Sequence, residues 1–519
     1  MPLHTFRLWR RFRFKLVVAG IALFGVLVTL YSTSLGIGTD ADSATYLMAA
    51  RSVLAGKGLT LPTPDGRQIP MTSFPPLLPL VLAGFGFIGL DPMAGARWLN
   101  ALIFGGDILL IAFLIKRHTR SAAAAVFAAF LTATTVDVLL NHCLLISEPL
   151  FMSFVLTGLA LMGLYMERPS FPHLLLFSAA LALASATRYA AISLLPVGTV
   201  AIVFGVGPWR RRWLHLGAFL AIFGIPLSLW ALRNLTLVHV LTNRSLAFHP
   251  PGLNRFVYSY LNLSTWIFPS AVPQALRVLG LLGIILLLFQ PLLRRLGTSS
   301  TPQVSLHNAG AMFVVSYVLL LLVSQIFFDA QIWIAGRHLL AVYLVGLVVV
   351  VCQGKQLLDN STDYLRPVLV LLCFSIAGVG AVRMAKDALR FHQDGLGLSS
   401  RRWQNSGLAA RVKQLDTRAP VYSNSGSALY LLTGRLAQSL PDRLDSQTQR
   451  YRPEYDAQMD RAKRQLQHEG GVIVVFPDFA AAGILASENE LERQLGLQRV
   501  AITDVGYLLM KPKQGDAAP

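Results

Sequence analysis

Charge is scarce in this chain. Of 519 residues only 14% are Asp, Glu, Lys or Arg, while 54% are hydrophobic; a soluble protein of this length carries charge on about a quarter of its residues. That excludes an ordinary soluble domain. The cysteines number three, Cys143, Cys352 and Cys373. All lie in or beside apolar runs, so they read as packed thiols and exclude a disulfide-built exterior. There is no CxxC, HExxH or P-loop, the signatures of redox, zinc and nucleotide-phosphate sites. No internal duplication stands out of the kind that marks inverted-repeat transporters.

What remains is basic, with 45 Lys+Arg against 26 Asp+Glu and a net charge of +19. Residues 401–519 hold 16 basic and 13 acidic residues, so half of all acidic residues lie in the last quarter of the chain. The rest carries +16, much of it in turns between apolar runs. Membrane topology accounts for such a pattern, and a basic face for nucleic acid is not needed.

The chain opens with RLWRRFRFK and an uncharged run, VVAGIALFGVLVTLYSTSLG. That run is longer than a signal-peptide core, lacks a clear cleavage site and is followed by many more spans, so it reads as an uncleaved first helix. Further candidate spans lie near 98–115, 121–139, 145–166, 171–187, 190–207, 213–232, 275–293, 309–328, 338–353 and 364–382, about eleven in all. With the N-terminus inside and the short 77–90 segment interfacial or re-entrant, Lys116/Arg117/Arg120, Glu167/Arg168, Arg210 to Arg212, Arg294/Arg295 and Lys355 fall inside. Loops 36–97 and 233–273 and the C-terminal tail then fall outside.

The expected fold class is a polytopic α-helical membrane protein. Residues 1–395 form the membrane part, and 396–519 a small soluble α/β domain outside. In the latter, strands are expected at Ala419 to Asn424, GGVIVVFP, RVAITDV and GYLLMKP, with helices at SALYLLTGR, Glu454 to His468 and Ser487 to Leu495.

Polar residues against the apolar grain mark the candidate site. In GTDADSATYLMAAR, Asp42 precedes Tyr46 by four and sits where a helix from Ser43 would begin, with Asp40 two residues earlier. This is either a capped surface helix or a carboxylate placed to take the proton of an acceptor hydroxyl. Glu148 in LLISEPLFMSF stands at the outer start of an apolar helix. There an ionised residue is either favoured by the helix N-terminus or held by a partner; His142 is near enough in sequence to bond to it. Arg188-Tyr189, Arg233-Asn234 and Arg337-His338 are on the outer side, against the usual charge bias. Either they snorkel to headgroups or they form an anion site suited to phosphate.

These residues resemble a family. An outer loop opening with D-S-A-T-Y and closing with F-P-P-L-L-P, then S-E-P-L-F, T-R-Y, W-x-x-R-N and a late G-R-H-L-L-A, in that order, resembles the bacterial polyprenyl-phosphate-sugar-dependent glycosyltransferases. These have the GT-C fold and are related to the protein O-mannosyltransferases and lipid A aminoarabinose transferases. The likeness covers roughly residues 15 to 350. It implies inverting transfer of a hexosyl or pentosyl unit from a polyprenyl-phosphate donor to a lipid, glycan or protein hydroxyl at the outer face of a bacterial inner membrane. It also implies Asp42 as base, Asp40 as its substitute, Glu148 as orienting acid, and Arg337, Arg188 and Arg233 around the donor phosphate. Lys57 and Arg67, with Tyr46, His142, Tyr189, Asn234 and His338, are candidate substrate contacts, although the family usually has Tyr or Phe where His338 stands. No cofactor is required, and a divalent cation on Asp40, Asp42 and Glu148 is the minor alternative. A lipid or anionic-solute transporter or flippase is the main rival reading, and an inactive membrane scaffold the third.

Overall fold

The structure is a computed structural model that describes residues 3–242, 244–269, 271–296, 306–416, 419–479, 484–486 and 488–511. The side chains of Arg294 and Arg295, and residue Ser487, lie outside the described residues. The chain begins with helix α1 (Leu3–Ser32), followed by α2 (Ala41–Leu54), a hairpin of β1 (Thr60–Pro62) and β2 (Gln68–Pro70), and α3 (Leu77–Phe87). Then come α4 (Pro92–Thr119), α5 (Ala122–Thr134), α6 (Val136–His142), α7 (Glu148–Glu167), α8 (Phe171–Thr187), a 3-10 turn at Tyr189–Ser193 and α9 (Leu194–Val203). The membrane part closes with α10 (Trp209–Val238), α11 (Leu253–Ile267), α12 (Gln274–Leu296), α13 (Leu306–Phe327), a 3-10 turn at Gly336–Leu339, α14 (Leu340–Asp359) and α15 (Leu365–Asp394).

By length and composition, seven helices among the described residues can cross a membrane, or eight if the pair α5 and α6, bent by 62°, is one span. The reading of about eleven spans exceeds this because three of its runs fold as shorter apolar helices: α8, the stretch Tyr189–Val203 and the apolar part of α12. Arg188, in extended backbone at the end of α8, interrupts one long apolar run and separates two of them. Helix α3, with 11 residues, is about 16 Å long at 1.5 Å per residue, too short for a crossing of about 30 Å. That agrees with an interfacial or re-entrant segment.

Small residues bring the helices together. A Cβ on Gly25 would stand 2.5 Å from Ile108 Cδ1, and one on Gly105 2.7 Å from Val26 Cγ2, so α1 and α4 depend on both glycines for close approach. Facing alanines of α5 (Ala125, Ala128, Ala129) are fully buried in the same core.

Gly395, with φ of +75°, turns the chain out of α15. Short helices α16 (Arg401–Gln404) and α17 (Gly407–Gln414) lead to β3 (Val421–Ser423), α18 (Gly426–Thr433), β4 (Gln438–Ser439), α19 (Tyr455–Glu469), β5 (Val472–Val475), α20 (Glu488–Leu495), β6 (Gln498–Ile502) and β7 (Tyr507–Met510). The sheet order is β4-β3-β5-β7-β6, with β4, β3 and β5 parallel and β7 antiparallel to both neighbours. The unbroken apolar run of β5 is explained by cover on both faces. Val472 and Val474 pack with Leu408 and Leu429, while Ile473 and Val475 pack with Met459, Leu466 and Leu491.

This C-terminal segment is joined to the membrane part by backbone bonds. Gly38 and Leu144 form one parallel bridge and Thr39 and Gly397 another, so residues 38–39 run as a central strand between two others. Leu398 N–H donates to Thr39 O at 2.9 Å, and the Thr39 and Ser399 hydroxyls lie 3.0 Å apart. Gly397 has φ of +54°, and an added Cβ would meet Thr39 O at 2.2 Å. Gly397→Ala should therefore cost about 2 kcal/mol, seen as a lower thermal midpoint of the detergent-purified protein. Gly378→Ala, in open space on α15, should leave the midpoint unchanged or slightly raised; equal behaviour of the two would remove this junction from the account.

Candidate active site

The central strand delivers the chain directly into α2. Asp40 is its N-cap, with Ser43 N–H donating to Asp40 Oδ1 and Asp40 N–H to Ser43 Oγ, a reciprocal capping box. The Ser43 hydroxyl also donates to Leu145 O at 2.7 Å, tying the first turn of α2 to the segment before α7. Asp42 lies in that first turn, where the helix dipole favours an anion. Glu148 is the first residue of α7 and is followed by Pro149, whose fixed φ suits a first helical turn. Arg337 stands in the 3-10 turn before α14, where Gly336 has φ of +53° and donates its N–H to Asn262 Oδ1 at 2.7 Å.

These residues converge on one guanidinium. Arg337 Nη1 donates to Asp40 Oδ2 at 3.0 Å, Nη2 donates to Asp42 Oδ2, and Nε lies 3.4 Å from Glu148 Oε1. Arg188 Nη1 is 2.7 Å from the same Glu148 oxygen and donates to Ser147 Oγ at 2.8 Å. Glu148 is nearly fully buried, and neither of its carboxylate oxygens has a well-directed hydrogen bond. Its two arginines therefore hold it by charge more than by hydrogen-bond geometry. Tyr46, buried one turn along α2, donates to Ser147 Oγ at 3.1 Å. Burial, followed by the charge of Asp42, pushes the Asp40 carboxyl above its usual range, and Arg337 and Ser43 only partly offset this. Burial also raises the Tyr46 phenol, keeping it a neutral donor.

The other expected phosphate and substrate residues have different partners. Arg233 donates to the carbonyls of Met71 (2.9 Å) and Leu59 (2.7 Å) and packs over Trp230. It fastens the outer loop to α10. Asn234 supports it by accepting from Arg233 Nη1. Tyr189 accepts from Trp230 Nε1 and donates to Thr72 O. Arg67 is exposed and paired with Asp65, whose carboxyl it lowers to about 2, and Lys57 is exposed in the turn after α2. His338 follows Arg337 in the chain, but its Nδ1 contacts Trp333 O at 2.9 Å. The expected approach of His142 to Glu148 is replaced by another pairing. His142 is fully buried, stacks on Phe104, and has Nε2 3.5 Å from Asp107 Oδ2.

Asp107 and Ser147 are the residues that sequence reasoning missed. Asp107 is a lone acid within IFGGDILLIAF, a signal that could have been read, since an intramembrane carboxyl needs a named partner. Removing Glu148 tests the cluster: Glu148→Ala leaves two guanidiniums short of a buried counter-charge. It should cost about 3 kcal/mol or more, read as a drop in thermal midpoint, whereas Arg67→Ala at the surface should not move it.

No protein-family profile matches the chain, and no curated protein matches it by sequence. Solved structures do. ArnT from Cupriavidus metallidurans, crystallised bound to undecaprenyl phosphate, is 16% identical with a TM-score of 0.55, over 96% of this chain and 98% of that one. The archaeal oligosaccharyltransferase AglB from Archaeoglobus fulgidus, in complex with an inhibitory peptide and a dolichol-phosphate, is 12% identical with a TM-score of 0.51, over 88% of this chain and 69% of that one. The chain has the fold of the GT-C glycosyltransferases.

Proposed function

We propose that this chain is a membrane glycosyltransferase that moves one monosaccharide, with inversion, from a polyprenyl-phosphate donor to an acceptor hydroxyl. The observation that carries this reading is the meeting of Asp40, Asp42 and Glu148 around Arg337, with Arg188 behind, at the ends of membrane-spanning helices. Undecaprenyl phosphate bound to ArnT and dolichol-phosphate bound to AglB, which share the fold, support the donor class. In this reading the reaction takes place on the membrane face that carries the C-terminal segment; the basic turns support its being the outer face, and the family resemblance supports a bacterial inner membrane.

The chemistry is one displacement. The acceptor oxygen attacks the anomeric carbon, the bond from that carbon to the phosphate oxygen breaks, and polyprenyl phosphate leaves with the electron pair. The acceptor proton passes to Asp42. Asp42 suits this role better than Asp40, whose Oδ1 accepts from Ser43 N–H and whose Oδ2 accepts from Arg337. Among the described residues, Arg337 is the one hydrogen-bond donor to Asp42. A phosphate entering beside Arg337 and Arg188 competes for the same guanidiniums. Donor binding thus draws Arg337 away from Asp42 and frees the base as the leaving group is neutralised. Glu148 holds both arginines in place. No metal enters this scheme, since guanidinium groups supply the positive charge.

Purified protein given a panel of polyprenyl-phosphate sugars should release polyprenyl phosphate and form a glycosylated product detectable by mass spectrometry. Asp42→Asn should lower kcat by about 10²- to 10⁴-fold and still bind undecaprenyl phosphate. Arg337→Gln should chiefly raise the donor KM. Undiminished turnover by Asp42→Asn would sink the assignment of the base. Treatment with EDTA should leave the rate unchanged, and a loss restored by Mg²⁺ or Mn²⁺ would overturn the metal-free scheme.

A further inference from the structure

A second polar site lies away from the carboxylate cluster. A cavity of about 370 Å³ opens between the loop that follows α10 and a turn of the C-terminal segment, within the roughly 300–1,000 Å³ typical of small-molecule sites. One wall presents Thr242, Arg244 and Ser245, and the other Asp445, Gln447 and Arg452. The second wall is held rigid before any ligand arrives. Asp445 Oδ1 accepts from the N–H groups of Gln447 and Thr448 and from the Thr448 hydroxyl, and its Oδ2 accepts from Arg452 Nη2 at 2.8 Å.

We infer that this cavity binds an uncharged saccharide, as a subsite for a sugar of the acceptor; the inference rests on the glycosyltransferase reading above. The charges are already balanced internally. Arg244 pairs with Asp329 at 2.7 Å, and Arg452 with Asp445 at 2.8 Å and Asp442 at 3.9 Å. Two arginines facing three carboxylates leave no surplus positive charge for a phosphate or an acidic headgroup. Among the described lining residues Val240 is the one apolar side chain, so a lipid chain has little to pack against.

The lining offers donors and acceptors side by side: hydroxyls at Thr242 and Ser245, an amide at Gln447, and the guanidinium and carboxylate edges. Sugar hydroxyls both donate and accept, and neighbouring hydroxyls match such a mixed set.

The cavity is also connected to the cluster. Gln447 O accepts from Ala330 N–H at 2.9 Å, and Arg244 pairs with the adjacent Asp329. Both contacts fall on the loop that runs from α13 to Arg337. Arg255 of α11 holds the same loop by donating to Ala330 O and stacking on Trp333. A saccharide in the cavity therefore sits on the same membrane face as Asp42 and against the loop that positions Arg337.

The test uses the full-length protein in phosphatidylcholine nanodiscs, with D-mannose, D-galactose, D-glucose and L-arabinose at millimolar concentration, read by saturation-transfer NMR. At least one sugar should bind, inorganic phosphate should not displace it, and the double variant Thr242→Val/Gln447→Ala should weaken it about tenfold. The side-chain change at Gln447 spares its carbonyl and hence the bond to Ala330. In a transfer assay the same variant should raise the acceptor KM and leave kcat and the donor KM unchanged. Absence of sugar binding, equal binding by the double variant, or displacement by inorganic phosphate would each overturn the subsite. Asp42→Asn separates the two claims, because it should lose turnover and keep full sugar binding. Retained turnover would count against the assigned base alone, and lost sugar binding in the double variant with unchanged acceptor KM would count against the link to the acceptor.

Discussion

The guanidinium of Arg337 is the group on which the site depends. Asp40, Asp42 and Glu148 come from two separate segments, and bringing three carboxylates to the low-dielectric end of a helix bundle would cost several kcal/mol in mutual repulsion. One planar cation with donors on three edges meets all three. Arg188 adds the second positive charge, at the same Glu148 oxygen that Arg337 approaches. The three carboxylates thus share one counter-charge, and the position of Arg337 decides which of them it pairs with. A catalyst that must carry a base and an anion-binding residue in one small space faces the problem that the two neutralise each other. In the proposed reaction the competition is useful, because an incoming phosphate is the species that would separate them.

Holding that arrangement falls to backbone more than to side chains. Residues 38–39 form the middle of three short parallel segments, with 143–145 on one side and 397–398 on the other. The first of these neighbours leads within a few residues to Glu148, and the middle one to Asp40 and Asp42. Their bonds set the two acidic segments side by side without any contact between the carboxylates themselves. Asn100 of α4 adds a further tie by donating to Leu144 O at 2.7 Å. On the other face of α2, Arg51 donates to Tyr430 of α18 at 2.7 Å, and Leu431 packs against the cluster that contains Tyr46 and Leu47. The helix carrying the proposed base is therefore clamped between membrane helices and the C-terminal segment.

Much of this was legible in the sequence. Long uncharged runs locate the spanning helices because lipid admits few alternatives. Asp42 and Glu148 stood out because acids are scarce in this chain and both fall where an apolar run begins. The arginines divided into two kinds that sequence cannot separate. Arg188 and Arg337 join the carboxylates, while Arg233 looks the same in sequence and instead closes off two loop carbonyls. A guanidinium satisfies a carboxylate, a phosphate or a pair of carbonyls with the same donors, and only the path of the loop decides which it meets. The expected count of about eleven spans exceeds the seven or eight helices that pass by length for a related reason. Hydropathy records how apolar a run is, but not that Arg188 breaks it in extended backbone or that the chain bends by 62° between α5 and α6. The pairing of Asp107 with His142 was hidden because the two are far apart in sequence and each has apolar neighbours.

In the proposed reaction the two substrates come from different phases, and the division of the chain follows from that. A polyprenyl donor reaches the carboxylate cluster through lipid, so its approach must be lined by helices whose backbone groups bond internally. A hydroxyl acceptor comes from water, so its recognition calls for the charged and hydroxylated surface found in the loop after α10 and in the C-terminal segment. The reacting atoms must still meet within bonding distance of one base. Asp42 lies in the first turn of α2, and the strand that leads into that turn is bonded on one edge to the membrane part and on the other to the C-terminal segment. Displacement of either partner would move the base relative to one of its substrates. The economy of charge noted at the outset has the same origin: a chain with few acids can place three at one point only where the surrounding backbone fixes each of them and a single arginine answers for all.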